Sequence, residues 1–296
     1  MIALETLKRA LALTPSGRLW YSRNKLLQFK KHVIAAIDSQ AVGSFPYYHL
    51  YIQDIFPDEL YAAIENHMKY CRESGKLKQR SQDSAAYVNS RFNLRKVNDA
   101  ETRYIRDIFS DNDVKRALFS KFYARLDGNL VEDARIHHEE FEYVYTGAGR
   151  FQNIHTDIPP KVLSMVFYIP NGPVSPSDED RNGTVFYDRE LKPQSKAKYR
   201  RNSVGIFAQH FHSYHGFATT IDRPALVMFY VHPEIEAEWI KVRANETPPF
   251  DAFKDLTAAK LRRFPLIEVG DNEEDISRMR EGCRINAPSG RVMIDK

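Results

Sequence analysis

Between residues 135 and 232 the apolar pattern switches from a helical period to alternation, and this switch restricts the fold more than any other feature of the chain. Residues 141–145, 161–169, 184–188, 204–208, 214–219 and 224–231 read as short strands. Turn signals separate them: Thr146-Gly147-Ala148-Gly149, a polar loop over 171–183 with two Pro and two Gly, and a basic loop over 191–203. Side chains alternate sides along a strand, so each run offers one face to a core. Several short strands at close spacing indicate a sandwich or a jelly roll.

The flanks are helical. Apolar spacing predicts helices over 2–13, stopped by Thr14-Pro15-Ser16-Gly17, and over 23–39. Residues 45–52 read as an early strand, and Asp58 as the cap of a helix ending near Cys71. A solvated loop over 72–84 precedes helices within 99–126, broken near Ser110-Asp111-Asn112-Asp113. After Pro233 the helical period returns over 234–242 and 251–263, and a polar tail follows. The expected division is a helical extension over 1–44, a main domain over 45–242 with its core at 135–232, and a helical and polar tail over 243–296.

Composition narrows the function classes. The 296 residues are 43% hydrophobic, enough to build a large core and to exclude global disorder. A net charge of +4 argues against a nucleic-acid partner. No apolar run approaches membrane-spanning length, and no secretory leader is recognisable, so no membrane partner is expected. Cys71 and Cys283 form no metal-type pair, which fits a reduced, cytoplasmic setting.

Against this background one stretch carries chemistry, Phe151-Gln152-Asn153-Ile154-His155-Thr156-Asp157. In extended backbone, residues i and i+2 point to the same side, so His155 and Asp157 can grip one ion from a strand end. A His-x-acid pattern is common with ten His and 39 acidic residues, and it recurs at His137/Glu139, His138/Glu140 and His232/Glu234. Only His155/Asp157 lies between two clear strands, after a Gly-containing turn and ahead of a His-rich segment. That segment offers His210, His212 and His215 as a third ligand. His215 is preferred: Gly216 beside it permits close approach, and its run leads to Arg223. Two imidazoles and one carboxylate on one face of a metal leave positions open, the arrangement of non-haem Fe(II) sites.

Arg223 begins the most apolar strand, sharing a face with Ala225, Val227 and Phe229. A guanidinium entering such a barrel needs an anion, and a carboxylate is the natural bidentate partner. Tyr168 shares a face with Val162, Ser164 and Val166, and Tyr145 precedes the Gly-containing turn; both are candidate pocket residues.

Four stretches together resemble the Fe(II)- and 2-oxoglutarate-dependent oxygenases, in particular the prolyl-hydroxylase-like branch. They are Tyr145-Thr146-Gly147 with His155-Thr156-Asp157; Val166-Phe167-Tyr168-Ile169; Gly183-Thr184-Val185-Phe186-Tyr187; and His215-Gly216-Phe217 with Arg223-Pro224-Ala225-Leu226. The resemblance implies a cupin-like double-stranded β-helix within a chain that is mainly β with flanking helices. It implies Fe(II) held by His155, Asp157 and His215, and 2-oxoglutarate paired through its far carboxylate with Arg223, helped by Tyr168 and Tyr145. It further implies use of dioxygen, with ascorbate as an in-vitro reductant, release of succinate and CO2, and hydroxylation of an unactivated C–H bond. Relatives that halogenate replace the acid with a small residue; Asp157 is present here, which favours hydroxylation, desaturation or ring closure. The expected partner is a small-molecule or amino-acid substrate. Loop 171–183 and the basic loop, with Lys192, Lys196, Lys198, Arg200 and Arg201, are the candidate lids. Two other readings stay open: a non-catalytic jelly-roll binding protein, and a cupin-type metal isomerase or hydrolase.

Overall fold

The computed structural model describes residues 19–81, 88–126, 128–243 and 250–267. The helix expected over 2–13, its stop, Cys283 and the polar tail lie outside the described residues.

Twelve strands are described: β1 (His49–Gln53), β2 (Lys78–Ser81), β3 (Val88–Asn93), β4 (Arg135–Ile136), β5 (Glu142–Thr146), β6 (Phe151–His155), β7 (Lys161–Tyr168), β8 (Thr184–Tyr187), β9 (Pro193–Ala197), β10 (Ser203–Phe207), β11 (His215–Ala218) and β12 (Arg223–Val231). They form a large sheet, ordered β1-β10-β7-β12-β5-β3-β2 with β4 on β12, and a small sheet, ordered β6-β11-β8-β9. Neighbours pair antiparallel. From β5 onward the chain winds between the sheets: β5 large, β6 small, β7 large, β8 and β9 small, β10 large, β11 small, β12 large. That winding is a double-stranded β-helix.

The helices are α1 (Arg23–Ser39), α2 (Asp58–Glu73), α3 (Ala100–Ser110), α4 (Asn112–Phe119), α5 (Gly128–Asp133), α6 (Pro176–Arg181), α7 (Pro233–Arg243) and α8 (Phe250–Arg263). Ser22 caps α1 by accepting from the Lys25 N–H. Asp111 serves two helices at the expected break, closing α3 and capping α4 through the Asp113 N–H at 2.9 Å. The cap of α2 is Pro57, not Asp58. Asp58 and Glu59 instead occupy the first turn, where a carboxylate complements the helix dipole.

Alternation on β12 separates two environments. Leu226, Met228 and Tyr230 join Leu163, Met165 and Phe167 of β7 in the main core, with Ile105, Ile108 and Phe109 of α3. Ala225, Val227 and Phe229 face the opposite way and line a cavity between the sheets. Three segments read as loops hold regular structure. The basic loop contains β9, the polar loop over 171–183 contains α6, and 72–84 includes β2. β9 pairs with β8 through its backbone at the sheet edge and buries only Ala197, so it carries no apolar alternation. The early strand starts at His49 because Tyr47 turns into the space between the sheets, its hydroxyl donating to the Tyr214 carbonyl at 3.0 Å. Among the described residues no helix is long and apolar enough to cross a membrane.

Candidate metal centre

The cavity between the sheets has a volume of about 210 Å³ and is lined by His155, Asp157, His215, Arg223, Lys161 and Thr184 among others. β6 and β11 are neighbours in the small sheet, and His155 and His215 are direct cross-strand partners. Their ring centres lie 4.3 Å apart. Gly216 makes this approach possible, because a Cβ there would sit 3.0 Å from the Gln152 carbonyl of β6. Asp157, two residues past β6, brings its Oδ2 to 3.9 Å from His215 Nε2. One donor atom from each of the three residues falls within 4.8 Å of the others.

The hydrogen bonds fix how these groups present themselves. His155 Nδ1 donates to the Asn153 carbonyl at 2.8 Å, and His215 Nδ1 to the Ser213 carbonyl at 2.9 Å. Each ring therefore carries its free lone pair on Nε2, the tautomer a metal needs. The Gln152 amide sits on the His155 lone pair at 3.0 Å and has to turn aside for an ion. Burial, reinforced by His215, pushes His155 down to about 3, and burial also lowers His215, so both imidazoles are neutral at pH 7. Burial alone would raise Asp157, but the Lys161 ammonium holds it well below the usual carboxylate range. Lys161 Nζ donates to Asp157 Oδ1 at 2.8 Å, and the Ser164 hydroxyl donates to Oδ2. Each oxygen keeps a lone pair after that. Neutral imidazoles and an ionised carboxylate are the donor set that Fe(II) accepts, so these residues fit a divalent ion.

Arg223 lines the same cavity and is only 3% exposed. Its Nε donates to the Asn182 carbonyl at 2.9 Å, one terminal nitrogen donates to Thr184 Oγ1 at 3.0 Å, and the Phe217 ring lies 3.8 Å from its carbon. Among the described residues no carboxylate pairs with it. Gly183 lets Asn182 and Thr184 flank it, since a Cβ at that position would run into the Ala197 carbonyl. Tyr168 stands behind Thr184 rather than in the cavity lining, its hydroxyl donating to Thr184 Oγ1 at 2.7 Å. Tyr145 lies off the cavity and bonds Asp222 at the end of the β11–β12 connection.

The remaining histidines are elsewhere. His210 is buried beside the His212 backbone, whose N–H it accepts at 3.2 Å, and neither ring lines the cavity. His137 faces Glu236 at 3.1 Å, and His232 packs on Phe264. The basic segment is tied down by surface ion pairs, Lys196 with Asp180 and Arg201 with Glu65, each at 3.2 Å. Lys161, Ser164, Gln152, Asn182 and Thr184 were not anticipated. Ser164 had a signal, the polar face it shares with Tyr168, and Gln152 and Thr184 lie in stretches singled out in the sequence; Lys161 and Asn182 had none.

No family model matches the chain, and no curated protein matches it. The chain is similar to solved prolyl hydroxylases and 2-oxoglutarate-Fe(II) oxygenases. A prolyl hydroxylase from Trichoplax adhaerens, in complex with a hypoxia inducible factor oxygen degradation domain peptide fragment, is 12% identical over 71% of this chain and 92% of that one, with a TM-score of 0.48. A Pseudomonas putida prolyl-4-hydroxylase is 12% identical over 68% of this chain and 98% of its own, with a TM-score of 0.49. HygX from Streptomyces hygroscopicus, solved with nickel and 2-oxoglutarate bound, is 11% identical over 62% and 83%, with a TM-score of 0.40.

Proposed function

We propose that this protein is an Fe(II)- and 2-oxoglutarate-dependent dioxygenase that hydroxylates an unactivated C–H bond of a small molecule or an amino-acid side chain. The observation that carries the reading is Arg223: a buried guanidinium with no carboxylate partner among the described residues, in the same cavity as His155, Asp157 and His215. A fixed buried charge is costly unless a ligand completes it. Two of its five N–H donors are spent on Asn182 and Thr184, which leaves three for a dicarboxylate. Thr184 Oγ1 accepts from Arg223 and is bonded to the Tyr168 hydroxyl, which also reaches the Ala197 carbonyl at 3.1 Å. Tyr168 thus acts on the cosubstrate through Thr184 and Arg223.

His155, Asp157 and His215 would hold the iron. Bound there, Fe(II) with 2-oxoglutarate supplies oxidising power from dioxygen, with succinate and CO2 as by-products. The chain's own tasks are narrower. Asp157 is kept ionised by Lys161 and oriented by Ser164, and both imidazoles are kept neutral by burial. The apolar wall of Val166, Val227 and Phe229 holds the substrate side of the cavity dry.

The test is succinate formation from 2-oxoglutarate with Fe(II) and ascorbate, against His155→Ala. Loss of turnover in the variant supports the proposal. No turnover in either chain, coupled or uncoupled, favours a non-catalytic binding protein. Turnover that persists without 2-oxoglutarate favours an isomerase or hydrolase of the cupin type.

A further inference from the structure

Away from the cavity, α2 and the start of α3 bring a second donor set together: His67, Asp99 and Glu101. The side chains of His67 and Glu101 are wholly buried, while Asp99 is 38% exposed. His67 Nε2 lies 3.3 Å from Asp99 Oδ2, and Nδ1 lies 3.2 Å from Glu101 Oε1. Neither contact is aligned as a hydrogen bond. His67 Nε2 and both Glu101 oxygens have no side-chain partner among the described residues; Glu101 is helped only by its own backbone N–H. Asp99 stands at the N-cap of α3, yet its side chain caps nothing, which leaves it turned toward the histidine.

Buried polar groups are nearly always satisfied, so this cluster needs an explanation. A single hydrogen bond between the imidazole and one carboxylate would leave the other oxygens bare. The Tyr143 hydroxyl meets His67 Nδ1 at 3.3 Å, which leaves Nε2 as the free donor, and a divalent cation there answers it together with the carboxylates. It takes one imidazole lone pair and an oxygen from each carboxylate, and two negative charges cancel its own. Donor atoms of a tetrahedral zinc site, with bonds of about 2.0–2.1 Å, stand about 3.3 Å apart. The three donors lie within 4.8 Å of one another and have to close by up to about 1.5 Å to reach that spacing. Cys71 follows His67 by one helical turn on the same face of α2, and its thiol lies in the field of both carboxylates. The exposed edge of Asp99 gives an ion its way in.

We propose that His67, Asp99 and Glu101 form a structural site for a divalent transition cation, best matched by zinc, that ties α2 to the first turn of α3. The site is separate from the cavity and does not depend on the oxygenase reading.

The test uses the full chain with His155→Ala and Asp157→Ala, which disable the cavity site, after chelator treatment. Zinc titration by calorimetry should give one equivalent bound and a rise in melting temperature. Adding Asp99→Asn should weaken that binding at least tenfold; Asp99 is half-exposed and caps nothing, so this variant keeps the fold. Adding Glu101→Gln should weaken it as well. Failure to take up zinc, or unchanged affinity in Asp99→Asn, overturns the proposal and leaves His67 and Glu101 sharing a proton only. If Glu101→Gln does not fold, the Asp99→Asn result decides alone.

Discussion

Among the described residues three cations line the cavity, Arg91, Lys161 and Arg223; Arg91 pairs with Glu142, and the circumstances of the other two differ. Lys161 is already engaged by Asp157 at 2.8 Å and Glu140 at 3.3 Å, whereas Arg223 meets only neutral oxygens. Replacing Arg223 with Ala should raise the KM for 2-oxoglutarate roughly 10–100-fold, the size expected for a lost charge-assisted hydrogen bond. Manganese affinity, read by calorimetry, should stay within about twofold, because Arg223 touches none of His155, Asp157 or His215. Glu101 gives a pH prediction. Its carboxyl is raised by burial from 4.5 to about 7, so the stability it contributes is full below about pH 4.5 and is lost as pH rises through about 7. In chelator, thermal melts should therefore show the parent losing stability relative to Glu101→Gln between those values, with a constant gap above them. His67 runs the other way, since its pKa is depressed, and it is common to both chains. The residues that could be picked out beforehand are those with a local signature: a spaced pair at His155 and Asp157, a glycine after His215, a proline after Arg223. Lys161 and Asn182 carry no such mark, because their roles arise only where separate strands meet.

β12 shows what a single element can encode. Its alternation divides residues that face helix α3 from residues that face the cavity, and the division was readable from the apolar run alone. Leu226→Ala should cost about 2–5 kcal/mol in chemical denaturation, as a large-to-small change in a packed core, and leave metal affinity intact. Val227→Ala, on the other face, should cost about 1 kcal/mol or less and alter turnover or substrate choice instead. Equal effects on stability would mean the two faces are not distinct. β2 and β9 escaped the same reading because edge strands pair through the backbone and place few apolar side chains, and β3, between β5 and β2, carries only Val88 and Phe92 as apolar residues. Helix α6 escaped because its six residues, Pro-Ser-Asp-Glu-Asp-Arg, bury nothing.

At the scale of the whole molecule, helices pack on the large sheet and the candidate metal residues hang from the small one. The class of fold was legible because strand spacing and turn chemistry are local. The His67 cluster was not, because His67 lies far along the chain from Asp99 and Glu101. Manganese at about 100 times its Kd should stabilise the chain by about 2.7 kcal/mol, roughly 5–10 °C in melting temperature, and His155→Ala should abolish most of that shift. β6 is an outermost strand of the small sheet, held along one side only, and it ends in His155 opposite His215. An ion bridging those two rings would fasten an open border to its neighbour. Amide exchange should then slow in Phe151–His155 on metal addition while β7 and β12 stay unchanged, so the ion that equips the cavity for chemistry would also decide whether that border frays.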